Sequence, residues 1–274
     1  MRMGPESDLR VSIIQVDTIW RDAAANRKLH GELLRPLQGA TDVIVLPETF
    51  TSGFGDASLD QAEGMDGMSV AWLRELSAQV GATITGSLVI RDDEALVNRL
   101  LWAEPNGALS WYDKRHLFRM ANEHLRYGEG RRRILTHCRD WRVLPLVCYD
   151  LRFPVWSRNR VAADGSCEYD LAIYVANWPS PRRHAWRTLL RARAIENLAC
   201  VVGVNRVGID GEGHRYAGDS AILDPLGMPL IELGAQAQVA TVTLSAAQLR
   251  AHRERFPAHR DADGFRLDAV EPDE

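Results

Sequence analysis

The chain has 274 residues, 46% hydrophobic and 26% charged, a composition that excludes intrinsic disorder, and no apolar run approaches the ~20 residues a membrane-spanning helix needs. A formal net charge of −4 leaves no broad positive field for a nucleic acid, and the length suits one large α/β domain over residues 1–274, close to the roughly 250–300 residues at which a single core stops growing. The opening MRMGPESDLR lacks the apolar core of a secretory signal, so a cytoplasmic location is expected.

Short apolar runs alternate with helical patterns, the mark of layered α/β architecture. The first run is 11–16, followed by a helix over 22–34 with Asp22 as its N-cap and Pro36 beyond its end. Residues 43–46 form a continuous apolar run, as in a strand covered on both faces, and end in Pro47-Glu48, which sets Glu48 at a strand end. Val70, Leu73, Leu76 and Val80 share one side of a predicted helix over Met68–Val80, with Gly81 as its stop. A strand over 83–90 follows. Segments 98–104 and 108–114 flank Pro105-Asn106-Gly107, a hairpin signal that places Lys114 where the second strand runs out.

The run 143–149 leads through Cys148-Tyr149-Asp150 to Pro154, which is placed to open a short helix. Leu171–Ala176 repeats the strand pattern and ends in Asn177-Trp178-Pro179. A helix over 182–198, a strand over 200–204, and a turn at Asp224-Pro225-Leu226-Gly227 between two final strands complete the series. The charged tail from Leu249 is expected to run outside the core, toward a partner subunit. No repeat or low-complexity linker marks a second domain.

Four irregularly spaced cysteines in a chain this long make neither a disulfide scaffold nor a zinc site, so free thiols are expected. A cysteine ending an apolar strand is by itself more often structural. Cys148 differs by its company. Glu48, Lys114 and Cys148 each follow a separate strand and can converge at one sheet edge, where open α/β folds carry active sites. A thiol with a reference pKa near ~8.5 needs a base or a cation to act as a nucleophile. Glu48 suits the base, Lys114 favours the anion and holds a tetrahedral oxyanion, and the Tyr149 backbone N–H supplies a second donor.

His116 and His184 are assigned surface or supporting positions, and the histidine spacing offers no metal site. Glycines at 208–213 lack phosphate-cradle spacing and read as a mobile loop, and 131–133 reads as a solvated basic turn. Most tryptophans fit packing, whereas Trp178 follows a strand on the proposed catalytic rim.

Three blocks stand in order: Leu46-Pro47-Glu48, then Tyr112-Asp113-Lys114-Arg115-His116-Leu117-Phe118, then Leu146-Val147-Cys148-Tyr149-Asp150-Leu151-Arg152-Phe153-Pro154. With Ala176-Asn177-Trp178-Pro179 and the segments 192–197 and 203–208, they resemble the nitrilase (carbon-nitrogen hydrolase) superfamily across nearly the whole chain. The resemblance implies a four-layer α-β-β-α sandwich, homodimers paired sandwich to sandwich, and a catalytic triad of Glu48, Lys114 and Cys148. It also makes Glu123 a supporting glutamate, a residue that alone reads as an exposed charge.

Segment 114–124 and the Asn177-Trp178-Pro179 loop look most like the bacterial omega-amidase branch. That branch hydrolyses ω-amides of α-keto acids, such as 2-oxoglutaramate and 2-oxosuccinamate, and the expected route is a thioester with no cofactor. Such a substrate carries a carboxylate and calls for a cation. Arg152 is the first candidate and Arg119 the second, since arginine binds carboxylates through two parallel hydrogen bonds, with Asn177 and Trp178 as neighbouring contacts. The rivals are an amidase for deaminated glutathione or an N-carbamoyl compound, a nitrile hydrolase, and a binding protein that kept the fold and lost turnover. The presence of all three triad residues argues against the last.

Overall fold

The computed structural model describes residues 3–55 and 59–267. Its strands are β1 (Leu9–Gln15), β2 (Val43–Val45), β3 (Thr83–Asp92), β4 (Ala95–Ala103), β5 (Leu109–Asp113), β6 (Thr136–Cys138), β7 (Trp141–Val147), β8 (Leu171–Ala176), β9 (Cys200–Asn205), β10 (Val207–Ile209), β11 (Arg215–Ala217), β12 (Ala221–Leu223), β13 (Pro229–Glu232) and β14 (Gln238–Leu244). Twelve of them form two six-stranded sheets, ordered β14-β1-β2-β3-β4-β5 and β13-β12-β9-β8-β7-β6. Both sheets follow one plan. A parallel triple, β1-β2-β3 or β7-β8-β9, has one antiparallel neighbour beside its first strand and two beyond its third.

Strand side chains point alternately to opposite faces, and the two faces of the first sheet go to different cores. Leu9, Val11, Ile13, Val43, Val45 and Trp102 pack with residues of the second sheet. Ile14, Ile44, Leu46 and Leu101 pack with Leu34, Val70, Leu73 and Leu76 from the helices Ala23–Leu34 and Met68–Val80. On the other side, Trp186, Leu190 and Ala194 of the helix Arg183–Asn197 join the core of the second sheet. The layers therefore run α-β-β-α, and burial on both faces explains why the central strands read as continuous apolar runs.

Local signals act as anticipated at several ends. Asp22 Oδ1 accepts from Ala25 N at 2.9 Å, capping the first helix. Gly81 stops the second at φ 71°, a conformation that costs glycine little. Three expectations change. The turn at 224–227 joins β12 to β13, but a further strand, β14, returns to pair with β1 from Leu9↔Leu244 to Gln15↔Gln238. Of the 208–213 segment expected to be a loop, Gly208 and Ile209 belong to β10, which pairs with β11, and the residues from 210 to 214 are the turn between those two strands. The tail does not leave the core at Leu249. Helix Ala246–Arg255 buries Leu249 and Arg253, and Arg253 bonds to Asp170 Oδ1 at 2.6 Å and Leu198 O at 2.9 Å. Among the described residues no helix is long and apolar enough to cross a membrane.

Candidate active site

Glu48 follows the central strand of the first sheet and is fully buried. A buried carboxylate is costly without partners, and Glu48 has three donors on its two oxygens. Oε1 accepts from Asn98 Nδ2 at 2.8 Å and Lys114 Nζ at 3.0 Å, and Oε2 accepts from the Asn177 backbone N at 2.7 Å. Asn177 sits at the end of β8, the central strand of the second sheet, and its Nδ2 also donates to Glu48 O at 2.8 Å and Thr49 Oγ1 at 2.9 Å. The site thus straddles the corresponding ends of both sheets.

Lys114 emerges from β5 with its backbone held on both sides, its N donating to Asn98 O and its O accepting from Gly130 N, each at 2.9 Å. Its Nζ lies 2.8 and 2.9 Å from the two oxygens of Glu123, which also accepts from Phe118 N at 2.6 Å. Glu123 is buried, not exposed. One ammonium between two carboxylates holds the lysine well above its ordinary pKa despite burial, so it stays charged.

Cys148 opens a 3₁₀ turn, Cys148–Arg152, directly after β7, at φ 44°. A non-glycine residue held there is strained and persists only when its surroundings enforce it. The enforcing group is Asp150, whose Oδ2 accepts from Val147 N at 3.0 Å and Tyr112 Oη at 2.8 Å. Burial, and after it the Glu48 charge, push the Cys148 thiol well above its ordinary pKa, with Lys114 opposing. Lys114 still acts in the direction expected of it, lowering the thiol pKa and so favouring the anion against the larger opposing effects. Its charge is shared by two carboxylates, and the resting group is a thiol beside a base.

The thiol and Lys114 open onto a cleft of about 890 Å³, lined in part by Phe118, Tyr149, Arg152, Asn177, Trp178 and Arg182. Arg152 lies with its guanidinium carbon 4.9 Å from the centre of the Trp178 ring. Arg119 is exposed and does not line the cleft, although Met120, Ala121 and Asn122, which follow it in the turn Arg119–Ala121 and at its end, do. The rim opposite is the tip of β10-β11, with Glu212, Gly213 and His214.

Residues 10–254 match the carbon-nitrogen hydrolase family. The chain belongs to that family. This carbon-nitrogen hydrolase is 48% identical over 260 residues to the omega-amidase YafV of Escherichia coli strain K12, covering 94% of this chain and 98% of the relative. It is 31% identical over 254 residues to the 2-oxoglutaramate amidase of Bacillus subtilis strain 168, covering 92% and 96%. Among solved structures it superposes with TM-score 0.94 and 56% identity on a CN-hydrolase superfamily protein of Xanthomonas campestris that holds an arsenic adduct in its active site, covering 96% of this chain and 100% of that one. The four-layer sandwich expected from the sequence is the fold of this family, and the protein is a hydrolase of carbon-nitrogen bonds.

Several residues of this hydrolase's site lay outside the sequence reading. Asn98 sits inside β4, where an asparagine in an apolar strand is the available signal. Arg182, which the sequence sets at a helix start, lines the cleft. His116 has the supporting position expected, stacked 3.7 Å from Phe153 with Nδ1 2.8 Å from Asp150 Oδ1, while His184 is exposed. The basic turn at 131–133 is corrected in one member: Arg133 is buried over the Tyr169 ring and paired with Glu168, because a buried cation needs a counter-charge.

Proposed function

We propose that this hydrolase is an omega-amidase that converts the ω-amide of 2-oxoglutaramate or 2-oxosuccinamate to the dicarboxylic keto acid and ammonia through a Cys148 thioester. One observation carries the reading: Cys148, whose thiol feels the charge of buried Glu48, opens onto a cleft lined also by Arg152 and Arg182, which have no carboxylate partner among the described residues. Relatives that bear the omega-amidase and 2-oxoglutaramate amidase names over nearly their full length support it.

Glu48 takes the thiol proton as Cys148 attacks the amide carbon, then gives it to the departing ammonia. It next deprotonates the water that cleaves the thioester. Lys114 and the Tyr149 N–H face the oxyanion in both halves. Tyr149 is the second residue of its 3₁₀ turn, so its N–H belongs to the group a helix start leaves without an internal acceptor. Each such donor contributes about 3 kcal/mol in comparable sites. Glu123 fixes the Lys114 ammonium, Asn177 fixes Glu48, and Arg152 on Trp178 meets the substrate carboxylate. The reaction draws on no cofactor.

The test is ammonia release from 2-oxoglutaramate by the wild-type protein and by Cys148→Ala. Release abolished by the substitution supports nucleophile and substrate together; turnover of other amides alone keeps the nucleophile and removes the substrate. A cleft of about 890 Å³ lies at the upper end of small-ligand sites and favours deaminated glutathione as the second reading, tested in the same assay. We also assign the protein to a cytoplasmic homodimer. Exposed Ile195, Leu226 and Met228 gather around Gly227, an apolar patch suited to a second copy, and sedimentation of the purified protein tests it.

A further inference from the structure

Several arginines near the cleft are already paired with carboxylates. Arg183 is paired with Asp219 at 2.7 Å, Arg206 with Asp17 at 2.7 Å and Arg193 with Glu196 at 2.9 Å. Arg152 and Arg182 have no carboxylate partner among the described residues, although both line the cleft. Each instead lies against an aromatic ring: Arg152 is 4.9 Å from the Trp178 centroid and Arg182 is 5.1 Å from that of Phe118.

A guanidinium has five N–H donors in its plane, and contact of its face with a ring leaves those edges free. Stacking also restricts the side chain, so less freedom is lost when an anion is gripped. The two arginines are mechanically linked, since Trp178 Nε1 donates to Arg182 O at 2.8 Å while the Trp178 ring lies beneath Arg152. Phe118, beneath Arg182, packs 5.0 Å from Tyr149, the residue after the nucleophile. The second cation is thereby tied to the reacting centre through two rings.

We infer that Arg182 is a specificity-determining residue that joins Arg152 in a two-guanidinium subsite for the acceptor-rich end of a carboxylate-bearing amide. The subsite selects monoamides of dicarboxylic acids over uncharged amides of equal length. It disfavours an α-amino acid amide, because an ammonium beside the carboxylate meets like charge. The inference rests on the amidase reading of the cleft and is independent of whether the natural substrate is a keto acid.

The experiment compares glutaramate with pentanamide for wild type, Arg182→Gln and Arg182→Lys, with thermal melts as a folding control. Arg182 meets Trp178 through its backbone carbonyl, a contact both substitutions keep. The expected result is a wild-type preference for glutaramate, a rise of about 10- to 100-fold in its KM for Arg182→Gln with little change in kcat, and less than about 3-fold change in kcat/KM for pentanamide. Arg182→Lys recovers part of the loss, since lysine restores the charge without the fork. Equal losses on both amides, no loss on either, or a wild type that does not prefer glutaramate overturns the inference. Turnover of glutaramate without turnover of 2-oxoglutaramate leaves Arg182 in place and removes the keto-acid reading.

Discussion

Asp150 Oδ1 accepts from the backbone N of His116 at 3.0 Å and lies 2.8 Å from the same residue's Nδ1. Its other oxygen accepts from Val147 N and Tyr112 Oη. One buried carboxylate therefore ties the segment that carries Lys114 to the turn that carries Cys148. Asp150→Asn replaces one acceptor oxygen with a donor that must face N–H or O–H groups. The expected cost is about 2–4 kcal/mol of stability. A misplaced thiol and ammonium lower kcat by about 100-fold with a smaller change in KM. Melting and steady-state kinetics on the same preparation check both; a stable variant with wild-type kcat removes Asp150 from the positioning scheme.

Glu48 raises the pKa of the Cys148 thiol by its charge. Replacing it with glutamine removes that charge, so the thiol midpoint moves down toward its ordinary value even as turnover falls by about 10³-fold for want of a base. More thiolate with less catalysis is the signature of a proton transferred during attack rather than before it. Ultraviolet titration of the thiolate in wild type and Glu48→Gln measures the midpoint, and an unmoved midpoint contradicts the electrostatic coupling. Lys114→Met is expected to move the midpoint further up, because Lys114 is the group that lowers it.

How far the site was legible depends on how local its signals are. Glu48, Lys114 and Cys148 stand at the ends of apolar strands, and a strand end is written in a few adjacent residues. Glu123 sits in Glu123–Leu125, one of two consecutive 3₁₀ turns, where no periodicity separates a buried glutamate from a solvated one, and only the family resemblance marked it. β14 is a half-buried edge whose partner lies more than 200 residues away, as Ser12 and Thr241 show by meeting at 2.7 Å. Pairing over that separation leaves no trace in a short window. Arg182 failed for another reason: a cation at a helix start reads as solvated until the ring beneath it is located.

Gly130 supports Lys114 through shape. A Cβ at this position would lie 1.9 Å from the Asp113 carbonyl oxygen, and the Gly130 N–H donates to Lys114 O. Backbone cannot yield as a side-chain tip can. Gly130→Ala is expected to cost about 1–3 kcal/mol or more and to lower kcat by displacing the ammonium. Gly234→Ala is the control, since its added methyl meets nothing within 4 Å. Comparable melting temperatures and rates for the two variants would count against this role.

His30 supplies the sharpest pH test. It lies fully buried in the helix Ala23–Leu34, edge-on to Phe50 at 5.4 Å, and burial lowers its pKa from 6.5 to about 4, with the Phe50 backbone partly opposing. Between those values the unfolded chain binds a proton at this position and the folded chain does not. Stability therefore rises with pH across the window and is lost as pH falls from 6.5 toward 4, reaching about 3 kcal/mol at the acid end. His30→Leu removes the group from both states. Depressed carboxylates such as Asp42 and Asp170 contribute equally to both proteins and cancel in the difference. Denaturant unfolding at intervals from pH 8 to pH 4 should show wild type losing stability faster than His30→Leu below pH 6.5; parallel curves would mean that the folded protein protonates this ring as readily as the unfolded one.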